Sequence, residues 1–125
     1  MTWRAWRSDQ DRNGSAARRK LEFDAVVDQI TRRKGKFIER LTRRLESRGE
    51  CLCYRGTLDH KGYARLNLRY QGKHVTIHAH RLFLLMRLMR PLKRGMEAGH
   101  LPGCEHRTCI RHLREEHYKS NARTA

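Results

Sequence analysis

Two cysteines and a histidine near the C-terminal end constrain the fold of this chain more than any other feature. Four residues separate Cys104 from Cys109, and His112 follows three positions later. Structural zinc prefers four tetrahedral nitrogen or sulfur ligands, so these three leave one ligand to come from elsewhere. Cys51 and Cys53 are the natural source. The pattern predicts a closed, structural zinc site that ties two distant segments together, with Cys51 or Cys53 as the fourth ligand.

The composition agrees with a small domain that needs such a cross-link. The chain has 125 residues, of which 38% are hydrophobic and 34% charged, so we expect one domain with only a thin core. The N-terminus lacks the apolar region of a secretory signal. We therefore expect an intracellular protein with reduced thiols, either cytoplasmic in a phage or bacterial host or nuclear in a eukaryote. Clustered reduced cysteines bind metals more often than they form disulfides.

The charge of the chain points to a polyanionic partner. The formal net charge is +16, and basic residues are spread along the whole length. Such a field favours nucleic acid or an anionic membrane surface. The longest apolar stretch, residues 82–89, is far shorter than a membrane span. We expect double-stranded DNA as the partner. An RNA-binding protein or a protein of membrane surfaces is an alternative with less support from the sequence.

The first half of the chain has the periodicity of helices. Residues 1–15 are predicted to be a flexible basic arm and residues 16–48 a basic helical segment. Gly35 lies between two apolar stripes and is predicted to bend or break the helix. The first stripe consists of Leu21, Val26 or Val27, and Ile30, and the second of Phe37, Ile38, Leu41 and Leu45. The basic residues here are predicted to form either a solvated face or a surface that follows phosphates.

A change to two-residue periodicity predicts a β-hairpin after residue 62. Its strands are residues 63–70 and 73–78, joined by a turn at Gln71-Gly72. One face is apolar, whereas the other is basic and rich in amides, which suits either a solvated sheet face or contacts in the major groove of DNA. The candidate DNA-binding residues on the hairpin are Arg65, Asn67, Arg69 and Lys73.

A densely apolar helix over residues 79–89 is predicted to cover the hairpin and to end before Pro91. Its Arg81 is predicted either to clamp a DNA phosphate or to brace the core helix. Together these patterns predict an α+β fold with N-terminal helices, a small antiparallel sheet and a covering helix.

Two polar residues outside the zinc ligand set are candidates for catalysis. His100 lies just before the segment that contains Cys104, Cys109 and His112, which we call the metal loop. Histidine suits a general base because its ordinary pKa leaves it mostly neutral near pH 7. Asn121 lies nine residues after His112, and an amide oxygen can hold Mg²⁺ together with phosphate oxygens and waters. Each of these residue types is usually structural when it stands alone. Their position on either side of the metal loop favours a catalytic role.

Several segments in order resemble a known nuclease family. They are Cys51-Leu-Cys-Tyr-Arg-Gly56, Gly62-Tyr-Ala-Arg65, Ala79-His-Arg-Leu82, Gly95 five residues before His100, and His112-Leu113 with Asn121 nine residues after His112. The stretch resembles the HNH / His-Cys-box homing endonucleases, a branch of the His-Me finger (ββα-metal) nucleases. It departs from them in the longer spacing between His100 and Cys104, the shortened Cys109-Ile-Arg-His112 segment, and Leu52 and Tyr54 in place of two tryptophans.

The resemblance implies a nuclease domain over residues 49–125. Its ββα-metal finger would consist of strands near 96–101 and 112–116 and a helix over 117–125. His100 would be the general base and Asn121 the ligand of a catalytic Mg²⁺, while Cys51, Cys104, Cys109 and His112 would hold structural zinc. The substrate would be double-stranded DNA, and a homodimer is left open. The alternative is a catalytically inactive, zinc-stabilised DNA-binding protein, which the short C-terminal helix favours.

Overall fold

The computed structural model describes residues 15–117, which form an α+β arrangement of two helices and seven strands. The elements are α1 (Ala16–Thr42), β1 (Leu45–Arg48), β2 (Cys51–Tyr54), β3 (Thr57–Leu58), β4 (Ala64–Tyr70), β5 (Lys73–His78), α2 (Ala79–Leu88), β6 (Met96–His100) and β7 (Leu113–His117). The strands form three antiparallel groups, β1-β2, β3-β4-β5 and β6-β7. The predicted arm at residues 1–14 lies outside the described residues. Neither helix of the described part is long and apolar enough to cross a membrane.

Helix α1 is continuous through Gly35, so the predicted break of the helix at this residue is wrong. It begins after Ser15, whose hydroxyl oxygen accepts a hydrogen bond from the backbone N–H of Arg18 over 3.0 Å. Glycine inside a helix costs about 1 kcal/mol relative to alanine. Phe37 and Leu41 are both buried beyond the glycine, and packing of these large side chains offsets that cost.

The second apolar stripe is only partly formed as predicted. Ile38 is 44% exposed, and Leu45 lies in β1 rather than in the helix. The predicted helical segment over residues 16–48 ends earlier, at Thr42, because residues 45–48 form β1, which pairs with β2 across a hairpin turn. Gly49 makes this turn possible, because its φ of +61° is readily available to glycine.

The hairpin of β4 and β5 confirms the prediction for residues 63–78. Gln71 and Gly72 have φ angles of 51° and 74°, which a tight hairpin turn with two left-handed residues requires. Arg65 pairs with His78 and Arg69 with His74 across the hairpin. The alternation of faces is also as predicted: the inward residues Ala64, Leu68, Val75 and Ile77 are buried, whereas Arg65, Asn67, Arg69, His74 and Thr76 are exposed.

The main core lies where α1 and α2 pack against this hairpin. Helix α2 ends one residue earlier than predicted because Met89 adopts a left-handed conformation as its C-cap. Leu82, Leu84 and Leu85 are almost inaccessible to solvent. Each buried side chain of this size contributes about 1.5–3 kcal/mol through removal of apolar surface from water. Below, "the body" means α1, β3–β5 and α2.

Strands β6 and β7 form a separate antiparallel pair in which Met96 faces His117 and His100 faces Leu113. The predicted strands are therefore present, at 96–100 and 113–117. The predicted helix over residues 117–125 is wrong at its first residue, because His117 still belongs to β7. Residues 118–125 lie outside the described residues. Below, "the C-terminal region" means residues 96–117.

Candidate metal centre and adjoining histidine

Four side chains that are distant in sequence meet at the junction of β2 and the loop after β6. They belong to Cys51, Cys104, Cys109 and His112, and one donor atom from each lies within 4.8 Å of the others. We call these four residues the thiol cluster. The four residues predicted as zinc ligands are thus close together, and Cys51 rather than Cys53 belongs to the group.

Backbone hydrogen bonds bring the loop to β2. The N–H of Tyr54 donates to the carbonyl oxygen of Thr108 over 2.9 Å, and the N–H of Ile110 donates to that of Leu52 over 2.8 Å. These bonds flank Cys109, whose backbone forms an isolated antiparallel β-bridge with that of Cys53, without a disulfide. Cys53 is consequently buried in the backbone contact between the two segments. Its position explains why it is not among the four donors.

The distances within the thiol cluster suit one tetrahedral ion. The sulfur atoms of Cys51 and Cys104 are 3.7 Å apart, and Nδ1 of His112 lies 3.5 Å from the sulfur atoms of both Cys51 and Cys109. Ideal Zn–S and Zn–N bonds of about 2.3 and 2.0–2.1 Å at tetrahedral angles place two sulfurs about 3.8 Å apart and sulfur about 3.5 Å from nitrogen. The donor set therefore fits zinc both in chemistry and in spacing.

The acidities of the thiols show why a cation would be stabilising here. Burial, followed by the neighbouring thiols of Cys109 and Cys104, raises the pKa of Cys51 to about 12. Burial also acts to raise the pKa of Cys109, but hydrogen bonds from backbone groups such as those of His112 and Arg111 lower it overall to about 6. Ionisation is thus favoured at the thiol of Cys109 and disfavoured at the thiol of Cys51. A divalent cation at the centre removes that conflict because it stabilises every thiolate at once.

His100 lies at the end of β6 and is tied to the thiol cluster through the backbone. Its Nε2 lies 2.9 Å from the carbonyl oxygen of Cys109. A carbonyl oxygen can only accept, so Nε2 carries the proton and Nδ1 is the nitrogen with a lone pair. Burial lowers the pKa of His100 below its ordinary value, against the opposing effects of the Cys109 carbonyl and the Glu116 carboxylate. This imidazole is therefore held neutral, with one nitrogen able to accept a proton.

Two further aromatic rings lie beside His100 and a third lies next to both of them, and none of the three was among the site residues predicted from the sequence. The ring of His80 lies 5.2 Å from that of His100, and the ring of Tyr63 lies 6.3 Å away. His78 follows at 5.5 Å from His80, and its Nε2 lies 2.9 Å from a carboxylate oxygen of Asp59. His80 belongs to the Ala79-His-Arg-Leu82 motif, which is a sequence signal, whereas no local pattern marks Asp59.

In this group of rings, His80 is neutral, whereas the neighbouring Asp59 is negatively charged. Burial, with repulsion from His100, His78 and Arg81, lowers the pKa of His80 to about 3, so this ring is neutral. The backbone N–H of Tyr63 leads the groups that lower the pKa of Asp59 to about 2, with further help from His78. Asp59 is therefore ionised and orients His78.

Glu116 places a buried carboxylate on β7 beside His100. Its Oε2 accepts a hydrogen bond from Nε of Arg114 over 2.8 Å, whereas Oε1 is buried and has no hydrogen-bond partner in residues 15–117. A side chain at Gly99 would overlap Oε1. The absence of a side chain at Gly99 is thus what allows this carboxylate to lie against β6.

The candidate DNA-binding residues fall into two groups. Arg65, Asn67, Arg69 and Lys73 all lie exposed on the β4–β5 hairpin. Arg81 differs, because its guanidinium lies 2.7 Å from a carboxylate oxygen of the buried Glu22 and braces α2 against α1. Of the two roles predicted for Arg81, the contacts favour the structural one. Asn121, the predicted Mg²⁺ ligand, lies outside the described residues.

Comparison with known proteins finds no match to this chain among protein-family models, curated proteins or solved structures. The assignment to the HNH family therefore stays a prediction, which depends on the motifs in the sequence and on the chemistry of the site.

Proposed function

We propose that this protein is a metal-dependent DNA endonuclease of the HNH type, in which Cys51, Cys104, Cys109 and His112 hold a structural zinc ion and His100 is the general base. One observation carries the proposal: the hydrogen bond from Nε2 of His100 to the carbonyl oxygen of Cys109. It joins the candidate base directly to the backbone of a metal ligand. The bond fixes the orientation of the ring and leaves Nδ1 able to remove a proton from water.

The reaction follows from these groups. Nδ1 of His100 takes a proton from a water molecule that attacks the scissile phosphorus in line, the P–O3′ bond breaks, and the departing O3′ takes a proton from a second water molecule. The products carry a 5′-phosphate and a 3′-hydroxyl. Mg²⁺, for which Asn121 is the sequence-predicted ligand, would stabilise the charge that develops on the phosphate oxygens.

The hairpin provides a path along which DNA can reach His100. Arg69, Asn67 and Arg65 lie in turn on the exposed face of β4, and Arg65 pairs with His78 on β5. From His78 the rings of His80 and His100 follow at 5.5 and 5.2 Å. A duplex bound on this face would place a phosphate near the candidate base.

The decisive test is nicking of supercoiled plasmid DNA by the His100→Ala variant in the presence of Mg²⁺. We expect the loss of a general base to slow cleavage by about 10²–10⁴-fold. His60→Ala is the matched control, because His60 is exposed and is not a member of the thiol cluster. Zinc content should be measured for each variant. Unchanged nicking by His100→Ala at full zinc content would remove His100 from the mechanism.

The pH dependence gives a second test of the same role. Because burial lowers the pKa of His100, the neutral form persists below the ordinary histidine value near 6.5. Cleavage should therefore fall off on the acid side only below about pH 6.5. DNA binding without any Mg²⁺-dependent cleavage would instead support the alternative, an inactive zinc-stabilised DNA-binding protein.

A further inference from the structure

A basic groove runs between α1 and the edge of β4, away from the thiol cluster. Strand β3 pairs only with Ala64 and Arg65, so the rest of this edge is not covered by another strand of the described chain. Gln29 spans the groove at one point, where its side-chain amide donates to the carbonyl oxygen of Arg69 over 2.7 Å. The groove has a volume of about 690 Å³.

Five arginines line this groove from its two sides. Arg33 and Arg40 lie seven residues apart on α1, which is almost two full turns and places them on one helix face. Arg44 follows just after the helix, while Arg65 and Arg69 line the groove from β4. We call these five residues the arginine groove. No Asp or Glu is among its lining residues.

The carboxylates of α1 are occupied by other basic residues. Asp24 pairs with Lys20 at 2.6 Å, Asp28 with Arg32 at 3.5 Å, and Glu39 with Arg43 at 2.5 Å. Glu22 is buried against Arg81. Within residues 15–117, the five guanidinium groups of the arginine groove consequently have no carboxylate within ion-pair distance.

The floor of the groove is apolar and rigid. Phe37, Leu41 and Tyr54 are buried there. Burial raises the pKa of the Tyr54 phenol, while the positive charges of Arg44 and Arg40 act to lower it. These two arginines therefore lie close enough to the groove floor to act on its charge.

We propose that the arginine groove binds the phosphodiester backbone of double-stranded DNA, so that the three arginines on the α1 side add phosphate contacts to those of Arg65 and Arg69 on the hairpin. The identity of the polyanion rests on the proposed function. Arginines without a carboxylate partner among residues 15–117, along one groove, suit phosphate contacts, since guanidinium groups bind phosphate oxygens in a planar, bidentate manner.

The dimensions of the groove agree with a nucleic acid strand. Arg33 and Arg40 are separated by about 10 Å along the helix axis, and Arg65 and Arg69 by about 13 Å along the strand. Each strand of duplex DNA carries one phosphate per about 3.4 Å of axis. The groove therefore extends over about three or four phosphates.

The test removes three charges from the α1 side and compares the loss with a matched removal elsewhere on the helix. The groove variant carries Arg33→Gln, Arg40→Gln and Arg44→Gln. The control variant carries Lys20→Gln, Arg32→Gln and Arg43→Gln, which changes the net charge equally but only at residues outside the groove. Binding of a short DNA duplex without Mg²⁺ is measured by fluorescence anisotropy at several salt concentrations.

If each of the three arginines contacts one phosphate, the slope of log K against log salt falls by about 2.7 in the groove variant, since each contact contributes about 0.9. The control variant should keep most of the wild-type slope. Equal losses in both variants, or no binding by the wild-type protein, would overturn the inference. The inference would also be overturned if an acidic peptide, at the same concentration of negative charge, competed for binding as effectively as unlabelled DNA.

Plasmid nicking by the same proteins separates this inference from the proposed function. If the wild-type protein nicks plasmid DNA but the two variants have equal slopes of log K against log salt, the endonuclease function is retained and the arginine groove is not a DNA-binding site. If the slope falls only in the groove variant and the wild-type protein does not nick DNA, the arginine groove is retained as a DNA-binding site and the proposed endonuclease function is rejected.

Discussion

Around α2, the least accessible side chains are leucines such as Leu82 and Leu85, whereas around β2 and the metal loop they are the thiols of Cys53 and Cys109. The body thus has an apolar core of its own, and the two short strands of the C-terminal region gather around a polar centre. Ala98, Ile110 and Leu113 attach that region to the body's core on one side. The body can therefore be stable through apolar burial, whereas the proposed zinc ion would hold the metal loop and His100 in place.

The largest effect should come from loss of a metal ligand. We expect Cys109→Ser to abolish zinc binding and to disorder the C-terminal region, because structural zinc contributes about 10–16 kcal/mol in isolated finger peptides. Helical circular dichroism from the body should persist. Zinc analysis with hydrogen exchange over residues 96–117 checks this. Cys53→Ala is the control and should retain one zinc ion, so unfolding of the body together with the C-terminal region would show that the two regions are not separable.

Truncation of the body's core should give the next largest effect. Leu82 is completely buried, and Leu82→Ala should destabilise the protein by about 2–5 kcal/mol, through loss of apolar burial and creation of a cavity. Chemical denaturation measures this change. Zinc should remain bound under native conditions, and loss of zinc from the folded variant would contradict the division into two regions.

A smaller effect is expected where β6 meets β7. Gly99→Ala should cost about 1–3 kcal/mol, because the added methyl group overlaps the buried Glu116 side chain and forces it to move. Adding Glu116→Ala should recover part of this cost, since the overlapping group is then absent. Denaturation of the two single variants and the double variant provides a double-mutant cycle. Strict additivity would show that the two residues do not conflict.

The smallest effect near neutral pH should come from His80. The pKa of His80 is about 3 in the folded protein, against an ordinary value of 6.5, so between these pH values the unfolded state binds a proton that the folded state does not. Stability should therefore fall as pH decreases from about 6.5. The His80→Gln variant cannot titrate at this position and should show a flatter dependence between about pH 6.5 and 5. Parallel curves for the two proteins would contradict the lowered pKa.

Local patterns in the sequence were sufficient for several elements. The alternation of apolar residues with the Gln71-Gly72 turn fixed the hairpin of β4 and β5 and its faces, since both depend on neighbouring residues alone. The spacing of Cys104, Cys109 and His112 identified three members of the thiol cluster. Helix α1 was predicted in kind but not in continuity, because the packing of Phe37 beyond Gly35 is a tertiary effect.

What the tertiary structure decided was the relation between distant segments. Cys51 and Cys53 are equivalent in the sequence pattern, and only the register of β2 against the metal loop selects Cys51 as the fourth donor. The same holds for Glu116 beside His100 and for the arginine groove, whose two sides come from α1 and β4. Periodicity and ligand spacing follow from local backbone geometry. Register and groove depend on which surfaces pack together, and that is settled by burial across the whole chain.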